Sequence, residues 1–153
     1  MTTDSAKATF DLTVRSHVYD TAMRKCMPPT ITETASALNC SPDEVMSSFQ
    51  RLADAHILVL QKGSGEILMA NPFSAVPTAF LVKPGERTYY GNCIWDAMGI
   101  PAMLKEDASI QTSCACCGTA MSLEIRRNTL VEAPGIVHFA VPAARWWDNV
   151  VFT

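Results

Sequence analysis

Two groups of residues in this chain have the types and spacing to do chemistry. The first is Cys93-Ile94-Trp95-Asp96. Residues three apart on a helix share a face, so a helix here aims a thiol and a carboxylate into one pocket. At a helix N-terminus the dipole and free amides favour the thiolate, the nucleophilic and metal-binding form of cysteine. A carboxyl group beside it can hold or deliver a proton. The same spacing also suits a small buried cysteine followed by a first-turn aspartate that only complements the dipole. The second group is Cys114-Ala115-Cys116-Cys117-Gly118, a C-x-x-C with a further cysteine inside it. Two thiolates on such a knuckle are half of a tetrahedral zinc site. No second C-x-x-C supplies the other half, and His138, the nearest histidine in sequence, lies in an apolar run that reads as core. Thiolates alone, two or three of them, suffice for a softer metal. The candidate metal ligands are therefore Cys93, Cys114, Cys116 and Cys117, with zinc or another soft metal at Cys114 and Cys117.

The elements that must position these groups can be read from periodicity and punctuation. Phe10, Val14, Val18 and Ala22 form one apolar stripe and predict a helix over residues 10–24. Pro28-Pro29 breaks it. Thr30 with Glu33, and Ser41-Pro42 with Glu44, are capping boxes. They predict helices from Ile31 to near Asn39 and from Pro42 to near Asp54, the second burying Val45, Phe49 and Leu52. Strand-like runs at 56–61 and 66–70, joined by Lys62-Gly63-Ser64-Gly65, complete a winged-helix-like unit of three helices and a wing. Residues 71–77 read as a linker. Beyond it come strands at 78–82 and 87–90 and a helix over 93–104, capped by Gly91-Asn92 and kinked or split at Pro101. Strands at 109–113 and 120–126 flank the knuckle, residues 136–141 form another apolar run, 142–148 a turn or short helical piece, and 149–153 a strand at which the sequence stops. A tail cut short and a shortened homologue both fit that ending. The fold class is α+β, with a winged-helix-like subdomain over 1–75 and a small mixed or antiparallel sheet core over 76–153 that carries Cys-x-x-Asp on a helix and the cysteine knuckle. Trp95, Trp146 and Trp147 are expected in the core or on pocket walls, the last two beside a substrate, while Cys26 and Cys40 are packing residues.

Composition bounds what such a molecule does. At 153 residues the chain holds one domain, or two small subdomains sharing a core. With 48% apolar and 18% charged residues it is not a disordered chain. Its longest apolar runs, such as Ile57-Leu58-Val59-Leu60, fall far short of the roughly 18 residues of a membrane helix. The polar opening MTTDSAKATFDL lacks a signal core and predicts a cytoplasmic protein, where six cysteines point to thiol or metal chemistry rather than disulfides. Twelve basic against fifteen acidic residues, and Arg51 as the single base on the helix that would enter a groove, argue against nucleic acid as partner and against a metal-responsive DNA-binding regulator.

In this order and spacing the motifs resemble those of the alkylmercury lyases (organomercurial lyases). The segment RTYYGNCIWDAMGIPAML is similar to that family's aromatic-rich stretch running into a Cys-x-x-Asp helix and a Pro-Ala pair. SIQTSCACCGTAMSLEI resembles its strand, knuckle and strand, and IVHFAVPAARWWDNVVFT the run that leads to its second essential cysteine. The resemblance implies cleavage of carbon–mercury bonds by protonolysis, to Hg(II) and a hydrocarbon, with no bound cofactor and with mercury as substrate and product. It implies Cys93 as the attacking thiol, Asp96 as the proton shuttle and Cys114 as a structural cysteine, with an organomercurial and cellular thiols as partners. Two departures stand out. The second catalytic cysteine falls at Thr153 or just beyond, and Cys116 and Cys117 are additions that could substitute for it. Two readings without lyase activity fit the same scaffold: a binding protein for Hg, Cu or Zn, and a thiol-dependent lyase acting on another metabolite.

Overall fold

The computed structural model describes residues 2–131 and 135–151. The chain runs through helices α1 (Thr2–Lys25), α2 (Ile31–Leu38) and α3 (Pro42–Asp54), then strands β1 (Val59–Leu60), β2 (Ile67–Ala70), β3 (Phe73–Ser74), β4 (Leu81–Lys83) and β5 (Tyr89–Tyr90). Helix α4 (Ile94–Leu104), strands β6 (Ala108–Ser113), β7 (Ala120–Arg126) and β8 (Thr129–Leu130), and a 3-10 turn at Ala143–Asp148 follow. The architecture is α+β, with two antiparallel sheets of order β1-β2-β3 and β5-β4-β6-β7-β8.

Local chemistry sets the first three helices. At α2 and α3 the N-cap hydroxyls of Thr30 and Ser41 accept from the Glu33 and Glu44 amides, and each glutamate accepts in return from the cap amide. These capping boxes satisfy donors that the first helical turn leaves unpaired. Asn39 ends α2 in the left-handed conformation, which asparagine tolerates better than most residues. α1 starts well before the predicted stripe, because its first turns are polar and carry no apolar period. Val14 and Val18 are fully buried in a first core cluster with Val45, Phe49 and Leu52. Ala22, one turn further, belongs to a second cluster with Phe73, Val82, Tyr89, Ala97, Ile100 and Ile110. A single long helix thus serves both cores. Arg51 reaches back to α1, donating to both carboxylate oxygens of Asp11 at 2.8 and 2.7 Å, while Ser48 donates to the same carboxylate at 2.6 Å. The guanidinium is a tie between helices.

Three stretches depart from expectation. Residues 71–77 contain a strand rather than a free linker: Phe73 and Ser74 are buried, β3 pairs with β2, and Phe73 bridges to Gly91. Burial of Phe73 in the second core outweighs the neighbouring prolines. Pro101 does not split α4, which is one helix whose exit is tied by the Glu106 amide donating to the Pro101 carbonyl at 3.1 Å. The apolar run at 136–141 forms no strand; Ile136 is 94% exposed and His138 is exposed rather than core. Residues 149–151 form a bend and turn, and the remainder of that expected strand lies outside the described residues.

Candidate active site at the start of helix α4

β5 delivers the chain to the site. Gly91 is buried where β5 meets α4, and a Cβ there would sit 2.7 Å from the Ala97 nitrogen and 2.9 Å from its Cα. Only glycine allows this approach of strand to helix. The contact fixes the next residues: Asn92, then Cys93 as the N-cap of α4, in extended conformation (φ −146°, ψ −177°) with its carbonyl accepting from Ala97 at 2.9 Å. Gly91-Asn92 is therefore not the cap. The Asn92 side chain donates from Nδ2 to Asn71 Oδ1 at 3.1 Å and also interacts with the Asp96 carboxyl. The Asn71 carbonyl accepts from the Tyr19 hydroxyl of α1 at 3.2 Å, so α1, the approach to β3 and the entry to α4 are joined by one chain of bonds.

The i, i+3 geometry brings thiol and carboxylate together. Cys93 Sγ donates to Asp96 Oδ2 at 3.7 Å. Burial pushes the Asp96 carboxyl up, opposed by the Asn92 amide, the Cys93 thiol and the backbone amides of both residues. Burial also pushes the Cys93 thiol up. The backbone amides of Asp96 and Trp95 pull it down, as expected at a helix start, but desolvation and the Asp96 charge outweigh them. Desolvation and the Asp96 charge thus oppose the helix start at Cys93, and the thiol lies above its usual range. Asn92 is the member of this site that sequence reasoning assigned to another role. Its Oδ1 is buried without a partner, a cost that functional sites often carry.

The pair sits on the wall of a cleft of about 440 Å³. The core side contributes Met69, Asn71, Phe80, Asn92, Cys93, Trp95 and Asp96; Phe139, Trp146, Trp147, Val150 and Val151 close it from the other side. All three tryptophans expected at a pocket line this cleft, and none is core: Trp95 is 61% exposed. The closing segment is held by ring contacts. Trp147 stacks on His56 in the turn after α3 (centroids 4.3 Å apart), and Trp146 packs on Phe139 and donates from its indole to the Val141 carbonyl at 2.8 Å. The cleft is lined mostly by apolar and aromatic side chains with a few polar groups, the usual character of a small-molecule site.

The other expected ligands lie elsewhere. Cys114 is half-buried, and Cys116 and Cys117 are exposed, on the turn between β6 and β7; none of them lines the cleft. Among the described residues no three His, Cys, Asp or Glu side chains gather where they could hold a metal ion. Cys93, Cys114, Cys116 and Cys117 thus do not form one cluster in this structure. Cys40 packs against the first core and Cys26 against the second. Thr153, where the resemblance places a second catalytic cysteine, lies outside the described residues. No described helix is long and apolar enough to cross a membrane.

Comparison with known proteins accords with this geometry. No curated protein matches the chain in sequence. A solved structure, the mercury-bound form of MerB2, is similar with a TM-score of 0.61 at 20% identity, over 78% of this chain and 59% of that one. The chain thus spans less than two thirds of that relative's length, and at this identity the likeness speaks for the fold. The profile of the alkylmercury lyases (MerB) matches residues 73–153, from β3 through the Cys93–Asp96 helix, the knuckle and the closing segment. That match covers more than half of the sequence, and the chain belongs to the alkylmercury lyase family.

Proposed function

We propose that this protein cleaves carbon–mercury bonds, with Cys93 as the thiol that takes the metal and Asp96 as the group that moves the proton. The observation that carries the reading is the Cys93–Asp96 contact of 3.7 Å on the wall of an aromatic-lined cleft. An organomercurial enters with its hydrocarbon against Trp95, Trp146 and Trp147 and its metal toward Cys93. The Cys93 sulfur bonds to mercury as its proton passes to Asp96, and the group previously on mercury leaves as an anion. A thiolate from a cellular thiol in excess adds to the same ion; soft thiolates are the ligands mercury prefers. The added electron density loosens the carbon–mercury bond. The bonding pair takes the proton from Asp96, giving the hydrocarbon, a carboxylate restored to its starting state and Hg(II) held between two sulfurs. A buried carboxyl pushed up in pKa is suited to both halves of this transfer, because it accepts a proton more readily than an exposed aspartate does. No step draws on a resident cofactor.

The division of labour follows from the same reading. Residues 76–153 form the catalytic core. Residues 1–75 form a winged-helix-like subdomain that supports the cleft through Tyr19, His56 and Asn71. The setting is the cytoplasm, where thiols remove the product ion.

The test is phenylmercury with excess thiol, following benzene over many turnovers. Sustained benzene release that depends on Cys93 is expected. Capture of mercury with no benzene from the unaltered chain overturns the lyase reading in favour of a metal-binding relative.

A further inference from the structure

The β6–β7 hairpin carries a second thiol pair that the proposed reaction does not use. The strands pair in register up to Ser113 opposite Ala120. The turn beyond is closed by the Cys114 amide donating to the Thr119 carbonyl at 2.9 Å and by the Gly118 amide donating to the Cys114 carbonyl at 2.8 Å. Gly118 sits at φ +71°, a conformation that lets the chain double back after Cys117. The turn sets Cys114 and Cys117 three residues apart on one tight loop, where their side chains interact, and Cys117 Sγ lies 3.1 Å from Thr119 Oγ1. Cys116 is exposed and, among the described residues, contributes to no metal-holding group of three.

We propose that Cys114 and Cys117 form a two-coordinate dithiolate site for a soft cation, and that the ion it takes is the Hg(II) released from the cleft. The identity of that ion rests on the lyase reading; the site itself rests on the turn. Zinc requires about four donors and finds two here. A soft ion such as Hg(II) or Cu(I) is satisfied by two thiolates. Transfer is ligand exchange: each knuckle sulfur bonds to mercury as a departing thiolate takes up the proton that sulfur gives up, with no change of oxidation state.

The experiment starts from the Cys93→Ser chain, in which the cleft has lost its thiol. It is loaded with Hg(II) in excess glutathione, desalted, and its mercury counted by native mass spectrometry. One ion per chain is expected to remain, because two sulfurs on one turn chelate where single thiols only compete. Adding Cys117→Ser lowers retention by about a hundredfold; adding Cys114→Ser does the same. Cys117→Ser is the safer variant, since its side chain is exposed. Adding Cys116→Ser leaves retention unchanged. Equal retention without Cys117, loss on removing Cys116, or stoichiometric Zn(II) held in the same assay each overturns the site. A chain that releases no benzene but holds mercury at the knuckle supports the site and overturns the cleft as the source of its ion; benzene release with no mercury held at the knuckle overturns the site and leaves the lyase reading intact.

Discussion

The cleft and the knuckle each set a cysteine against a polar partner, with opposite results. Cys93 is half-buried, faces a carboxylate and is pushed up in pKa; Cys117 is exposed, faces a hydroxyl and is pulled down. The helix start that should favour a thiolate is overruled by desolvation, whereas at the knuckle the Thr119 hydroxyl and backbone outweigh a smaller desolvation. In the proposed reaction the first sulfur gives its proton to the neighbouring carboxylate, and the second is the proposed metal ligand.

The largest effect expected from breaking this contrast is Cys93→Ser, which takes benzene release to the uncatalysed background while the knuckle keeps its mercury. Next comes alkylation by iodoacetamide near pH 8, read by peptide mass spectrometry. Cys117 should react about tenfold or more faster than Cys93, since both ionisation and access favour it. Asn92→Ala sharpens the comparison inside the cleft. The Asn92 amide opposes the upward shift of Asp96, so its loss raises that carboxyl further. Asp96 must be ionised to receive the Cys93 proton, so the acid limb of kcat/KM moves to higher pH, and activity falls more at pH 6 than at pH 8. The smallest effect is Arg51→Ala. It removes the tie to Asp11, costing about 1 kcal/mol by urea unfolding for a guanidinium partly in water, and leaves turnover unchanged.

What could be read in advance follows the range of the forces involved. Thr30, Glu33, Ser41 and Glu44 announce their helices because a capping box is a contact over three residues. Cys93 and Asp96 meet because one helical turn dictates it. Long-range burial is where the reading fails. Phe73 sits among prolines yet is drawn into a core built from α1, β4 and α4. Ile136 lies in a strand-like run yet finds no sheet edge, and is exposed. Asn92 resembles a cap until its amide is seen to reach Asn71. The direction of the Cys93 shift is of the same kind: it depends on how much of the fold covers the thiol, which no local motif encodes.

The central claim is that Cys93 binds the metal while Asp96 moves the proton, and Asp96→Asn separates the two. The account predicts a phenylmercury adduct on Cys93, seen by intact mass, with benzene release lowered about 10²- to 10⁴-fold. Benzene release near the unaltered rate, or loss of the adduct together with turnover, would contradict it.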